Sequence, residues 1–127
     1  MPLITILVED NKTISETLVP ALEELANARV VAIAATAAAA REAVQRWQGQ
    51  WQLMVVDLFL AAGSGLEVLQ AVRQRDASQR VYVLSNYATP DMRRRCQARG
   101  ADGVFDKSTE LDAFFARCMD LPDPEPG

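Results

Sequence analysis

The stretch that most restricts what this chain can fold into is residues 53–57, Leu-Met-Val-Val-Asp. Four apolar residues without a polar break, two of them β-branched, read as a strand buried on both faces, which calls for cover on both sides. The fifth residue is a carboxylate. It cannot stay inside such a strand without a large desolvation cost, so Asp57 is expected where the strand ends and the chain emerges. On this segment alone, an ordinary acid opening a loop is the favoured reading of the placement.

Similar runs recur along the chain. Residues 3–8 (Leu-Ile-Thr-Ile-Leu-Val) end on Glu9 and Asp10, residues 29–34 form a short strand, and residues 80–85 (Arg-Val-Tyr-Val-Leu-Ser) end on a hydroxyl. Residues 103–106 make a fifth strand leading to Lys107. Helical patterns fill the gaps. Thr13 and Glu16 are spaced as a capping box before Ile14, Leu18, Ala21, Leu22 and Leu25. The alanine-rich residues 37–47 put Ala40, Val44 and Trp47 on one face. After a loop with Gly63 and Gly65, Leu66, Leu69 and Val72 face inward as far as about Arg75. Pro90 opens a fourth helix that Gly100 stops, and Ser108 or Thr109 is expected to cap the last, with Leu111, Phe114, Phe115, Cys118 and Met119 on its inner side.

Strands alternating with helices at even spacing predict an α/β fold: an open parallel sheet covered by helices on both faces. Its ligands bind outside the carboxyl ends of the strands. Four of the five strand ends carry Glu9 with Asp10, Asp57, Ser85 and Lys107, all opening onto that edge. The domain spans residues 1–121, and residues 122–127 (Pro-Asp-Pro-Glu-Pro-Gly) read as a polar, flexible tail or the start of a linker.

Composition narrows the chemistry. At 127 residues the chain is one domain, and its net charge of -4 argues against nucleic acid as a direct partner. Histidine is absent, which removes imidazole bases, histidine metal ligands and any phosphohistidine on the chain itself. Cys96 and Cys118 fall in helical patterns and read as reduced structural thiols. The longest nearly apolar run, residues 30–40, is too short for the ~20 residues that span a bilayer, so no membrane insertion and a cytoplasmic location are expected. Three carboxylates brought close repel unless a cation joins them, and Mg²⁺ suits hard oxygen ligands. Asp57 can then present a free oxygen to a phosphoryl group, Lys107 pair with the phosphoryl oxygens, and Ser85 donate a hydrogen bond to one of them.

These residues resemble the response-regulator receiver domain of two-component signalling, of the stand-alone type. The likeness rests on Glu9-Asp10 after the first strand, Asp57 after the third with Gly65-Leu66, Ser85 after the fourth, and Gly100-Ala101-Asp102-Gly103 leading to Lys107. It implies a flavodoxin-like sheet of order 2-1-3-4-5 and phosphorylation of Asp57 from the phosphohistidine of a histidine kinase or phosphotransfer protein. It implies Mg²⁺ held by Glu9 or Asp10, Asp57 and the backbone carbonyl of Phe59. Ser85 and Lys107 would sense the phosphoryl group and shift the surface of helix 4, strand 5 and helix 5 towards an unidentified downstream protein. Homodimerisation is left open, and the only chemistry implied is the domain's own gain and loss of the phosphoryl group.

The chain departs from the family pattern at Ala61 and Ser108, where prolines are usual, and at Asn86, where a small residue is usual. Val104 stands where the family carries its switch aromatic, with Phe105 one place later. Phe59 and Tyr87 flank the site, either as loop packing or as a screen against the water that would hydrolyse an acyl phosphate. Arg93, Arg94, Arg95 and Arg99 form a solvated basic face or meet an acidic partner. The alternatives are a pseudo-receiver that signals without phosphate, a receiver cut from a longer regulator, and an aspartate-nucleophile phosphatase. The phosphatase would want a second acid where Phe59 stands.

Overall fold

The structure, a computed structural model, describes residues 1–122; the expected tail, apart from Pro122, lies outside the described residues. Strands β1 (Leu3–Val8), β2 (Ala28–Ala34), β3 (Leu53–Val56), β4 (Arg80–Ser85) and β5 (Gly103–Asp106) alternate with helices. These are α1 (Lys12–Leu25), α2 (Ala37–Arg46), α3 (Gly65–Ala71), α4 (Pro90–Ala98) and α5 (Leu111–Met119). The strands form one parallel sheet of order β2-β1-β3-β4-β5, as the resemblance implies.

Successive side chains of a strand point to opposite faces, so each apolar run supplies two cores. Ile6, Val8, Met54, Val56, Val83 and Val104 pack on one face under α2, α3 and α4. Leu7, Val55, Tyr82, Leu84 and Phe105 pack on the other, under Leu18 and Leu22 of α1 and Phe114 and Cys118 of α5. On the first of these faces Ala37 and Ala40 of α2 are buried against the sheet, where small side chains permit close approach. Both cysteines are buried and free, in keeping with structural thiols. Burial pushes the Cys118 thiol up to about 12 and raises that of Cys96 as well.

The helix ends differ from expectation. Asn11, not Thr13, caps α1: its side chain accepts the Ile14 N–H, and the helix is under way before the Thr13-Glu16 spacing can act. Neither Ser108 nor Thr109 caps α5. Glu110 occupies the cap without a side-chain hydrogen bond to the helix, while Ser108 and Thr109 donate their N–H groups to Asp106 Oδ1 in the preceding turn. Helix α3 stops short of Arg75, whose guanidinium instead donates to the carbonyls of Val72, Gln79 and Gly100 and pairs with Asp102 at 2.7 Å. Leu25, Leu111 and Met119 sit at helix termini, beyond the sheet's cover, and are exposed.

Candidate functional site

Parallel ladders fix the backbone just past the strand ends. The Glu9 N–H donates to the Ala34 carbonyl at 2.9 Å, the Asp57 N–H to the Val8 carbonyl at 2.9 Å, and the Lys107 N–H to the Ser85 carbonyl at 3.0 Å. Each residue is therefore placed by the neighbouring strand rather than by a mobile loop. Gly65 extends this rigidity: its N–H donates to the Leu58 carbonyl at 2.9 Å, and a Cβ there would lie 2.2 Å from the Asp57 carbonyl oxygen. Only glycine permits that approach.

Four of the five side chains expected at this edge meet there: Glu9, Asp10, Asp57 and Lys107. The Glu9 side chain is only 2% exposed and pairs with the Lys107 ammonium, which also lies 3.3 Å from Asp57 Oδ2. The Asn11 N–H donates to Glu9 Oε2 at 3.2 Å, and the Leu58 N–H to Asp57 Oδ1 at 2.8 Å. Carboxylate oxygens of Glu9, Asp10 and Asp57 lie within 4.8 Å of one another, with Asp10 exposed at the rim. Three carboxylates face one ammonium, and the donors are hard oxygens with no thiolate or imidazole among them. That donor set fits a hard divalent cation such as Mg²⁺ or Ca²⁺.

Ser85 is fully buried, and its Oγ accepts the Tyr87 N–H at 3.0 Å. Ser108 Oγ donates to Asn86 Oδ1 at 3.2 Å, joining the loops that follow β4 and β5. The Phe59 and Tyr87 rings meet at a centroid distance of 4.4 Å, tilted by 55°, and bridge the loops after β3 and β4. Both remain more than half exposed, at 54% and 55%.

The two residues flagged for switching part company. Val104 is buried on the face beneath α4. Phe105, one place on, points to the opposite face, where its ring packs edge-on against Tyr82 at 5.8 Å and Phe114 at 5.6 Å. Period-two alternation sends the two neighbours to opposite faces of the sheet, both of them covered.

The basic run divides similarly. Arg94 and Arg95 pair with Asp91 on the exposed side of α4, at 3.5 and 3.0 Å. Arg93 is not part of a solvated face. Its guanidinium donates to the carbonyls of Ala88 and Val104, each at 2.9 Å, and to Glu110 Oε1. The Arg93 hydrogen bond, helped by the Asp106 N–H, holds the Glu110 carboxyl below its usual range. A helix turns about 100° per residue, so neighbouring arginines need not share an environment. No spacing in the sequence links Arg93 to Glu110, and the pair went unpredicted for that reason.

Fold and site together define a receiver of the flavodoxin-like class, with three carboxylates and a lysine gathered at the carboxyl ends of a parallel sheet. The chain belongs to the response regulator receiver domain family of two-component signalling, whose family profile matches residues 5–118. No curated protein matches it in sequence. Among solved structures it is similar to the CheX-CheY-BeF3-Mg²⁺ complex from Borrelia burgdorferi, with 16% identity, a TM-score of 0.83, and coverage of 95% of this chain and 90% of that one. The BeF3-activated N-terminal receiver domain of Klebsiella pneumoniae RstA has 19% identity and a TM-score of 0.77, covering 90% of this chain and 93% of that one. A Burkholderia pseudomallei response regulator, solved with a phosphorylated aspartic acid, calcium ion and citrate, has 23% identity and a TM-score of 0.76. There the match covers 90% of this chain and 65% of that one. Among the described residues, no helix is long and apolar enough to cross a membrane.

Proposed function

We propose that the domain is a phosphoacceptor whose acceptor is Asp57, supplied by the phosphohistidine of a histidine kinase or phosphotransfer protein. The observation that carries this reading is the meeting of Glu9, Asp10 and Asp57 with Lys107 at the carboxyl ends of the strands. A carboxylate oxygen of Asp57 attacks phosphorus, the donor's P–N bond breaks, and the leaving imidazole takes up a proton. Lys107 turns from its carboxylate partners towards the phosphoryl oxygens, and the Ser85 hydroxyl donates to one of them. Glu9, Asp10, Asp57 and the Phe59 backbone carbonyl would hold Mg²⁺, which neutralises charge between the phosphoryl group and the carboxylates when bound. Relatives solved with a phosphorylated aspartic acid, or with BeF3 and Mg²⁺, support the assignment by likeness of fold.

The Phe59–Tyr87 ring pair bridges the two loops that flank the acceptor, an arrangement suited to screening an acyl phosphate from water. The altered surface lies on α4, β5 and α5 and meets a downstream protein. Phe105 is buried against Tyr82 and Phe114, and Val104 offers no ring to rotate.

The test is intact mass after incubation with Mg²⁺ and small phosphodonors, beside Asp57→Asn and a magnesium-free control. One labile phosphoryl adduct that vanishes in both controls is expected. No adduct with several donors, and no measurable Mg²⁺ affinity, would replace this reading with a pseudo-receiver that signals without phosphate.

A further inference from the structure

Helix α4 is poorly anchored by apolar contacts: Cys96 is its one buried side chain, with Met92 half-buried beside it. Arg93 supplies the fastening instead. Its Nε donates to the Ala88 carbonyl in the loop before α4, its Nη1 to the Val104 carbonyl in β5, and its Nη2 to Glu110 at the start of α5. The same Glu110 oxygen accepts the Asp106 N–H at 3.0 Å, at the end of β5. One guanidinium thus ties together α4, β5 and the two loops that leave the site.

Those loops begin at the residues that would sense a phosphoryl group. Ser85 is linked through its Oγ to the Tyr87 N–H, next to Ala88, and Lys107 directly follows Asp106. Where the receiver pattern carries a rotating aromatic, Val104 has no side chain able to report such a change, yet its carbonyl is held by Arg93.

We propose that the Arg93–Glu110 pair is a latch that couples the phosphoryl site to the α4–β5–α5 face. The inference rests on Asp57 being the phosphoacceptor. With the latch closed, the loops hold Ser85 to Tyr87 and Lys107 to Glu9 and Asp57. Drawing Ser85 and Lys107 onto a phosphoryl group displaces residues 86–88 and 106–107, withdraws the Ala88 carbonyl from Arg93, and frees α4 to move against β5. Coupling of this kind is reciprocal in free energy, so loosening the latch favours the phosphorylated conformation, and phosphoryl transfer that proceeds through that conformation becomes faster. Arg93 and Glu110 are positioning residues in this scheme, since neither touches the acceptor.

The experiment compares wild type, Glu110→Gln, Arg93→Lys and Arg94→Gln. It reads the phosphorylation rate with phosphoramidate and Mg²⁺ by intact mass, and amide hydrogen exchange with and without beryllofluoride and Mg²⁺. Since the pair is partly exposed, its loss is expected to speed phosphorylation by about 3- to 5-fold. Exchange across residues 86–93 and 104–110 of unphosphorylated Glu110→Gln should reach the level that wild type attains only with beryllofluoride. Arg93→Lys keeps the charge but loses the fork and should behave likewise, while Arg94→Gln on the outer side of α4 should match wild type. Wild-type phosphorylation rates in both latch variants, with Asp57 taking phosphate normally, would reduce the pair to a structural fastening and overturn the proposal. The absence of any adduct in the wild type would instead overturn the phosphoacceptor reading, and the latch with it.

Discussion

Replacing Gly65 by alanine is the sharpest test of how the site is built. The added methyl would lie 2.2 Å from the Asp57 carbonyl oxygen and 2.9 Å from the Leu58 Cα. Both are backbone atoms, so no side-chain rotation relieves the clash, and the loop after β3 must shift. Overpacking costs about 1–3 kcal/mol where side chains can adjust, and a backbone clash belongs at or above the upper end of that range. Alanine's better helix propensity returns about 1 kcal/mol at most at the first residue of α3. The net loss is about 2–3 kcal/mol, which for a domain of this size lowers Tm by about 8–12 °C. Gly49 is the comparison: its φ is +74° and nothing lies within 4 Å of an added Cβ, so alanine there meets only left-handed strain of about 1–2 kcal/mol. Thermal denaturation followed by circular dichroism measures both, and the phosphodonor assay should show slower modification in Gly65→Ala alone. A Gly65→Ala Tm within about 3 °C of wild type would refute the claim that this glycine sets the Asp57 backbone.

Three further outcomes are expected. Arg75→Met removes donors from three carbonyls and a partner from Asp102 at the amino end of the sheet, and should cost about 3 kcal/mol, seen as a lower urea midpoint, while leaving phosphorylation intact. Burial holds the Cys118 thiol at about 12, well above the 9.0 ordinary for a free thiol, so the folded thiol stays protonated where the unfolded one ionises. Folding stability should accordingly fall as pH rises from about 9 towards 12, and Cys118→Ala should flatten the slope of Tm against pH over that window. Phe59→Asn opens the ring pair and should speed loss of the phosphoryl group severalfold, read by intact mass after donor removal; an unchanged rate would make the pair loop packing.

What the sequence determined by itself is the sheet and its polar edge. Apolar runs such as residues 53–56 have one stable use, a strand covered on both faces, and parallel strands with right-handed crossovers must present all their carboxyl ends on one side. Glu9, Asp10, Asp57, Ser85 and Lys107 were legible because each follows or ends such a run, and order along the chain then implies proximity in space. Tertiary structure alone decided the rest. Asn11 rather than Thr13 caps α1 because the helix begins as soon as the chain clears the acidic pair, a matter of one backbone turn that spacing does not encode. Phe105 joined the core under α5 and Val104 the core under α4 because register and pleat choose the face, and adjacent residues cannot share it. Arg93 left its basic run to join Ala88, Val104 and Glu110 because those groups meet only once α4 is laid across β5. Hydrogen bonds between segments distant in the chain carry no local period, and so leave no trace in the pattern of residues.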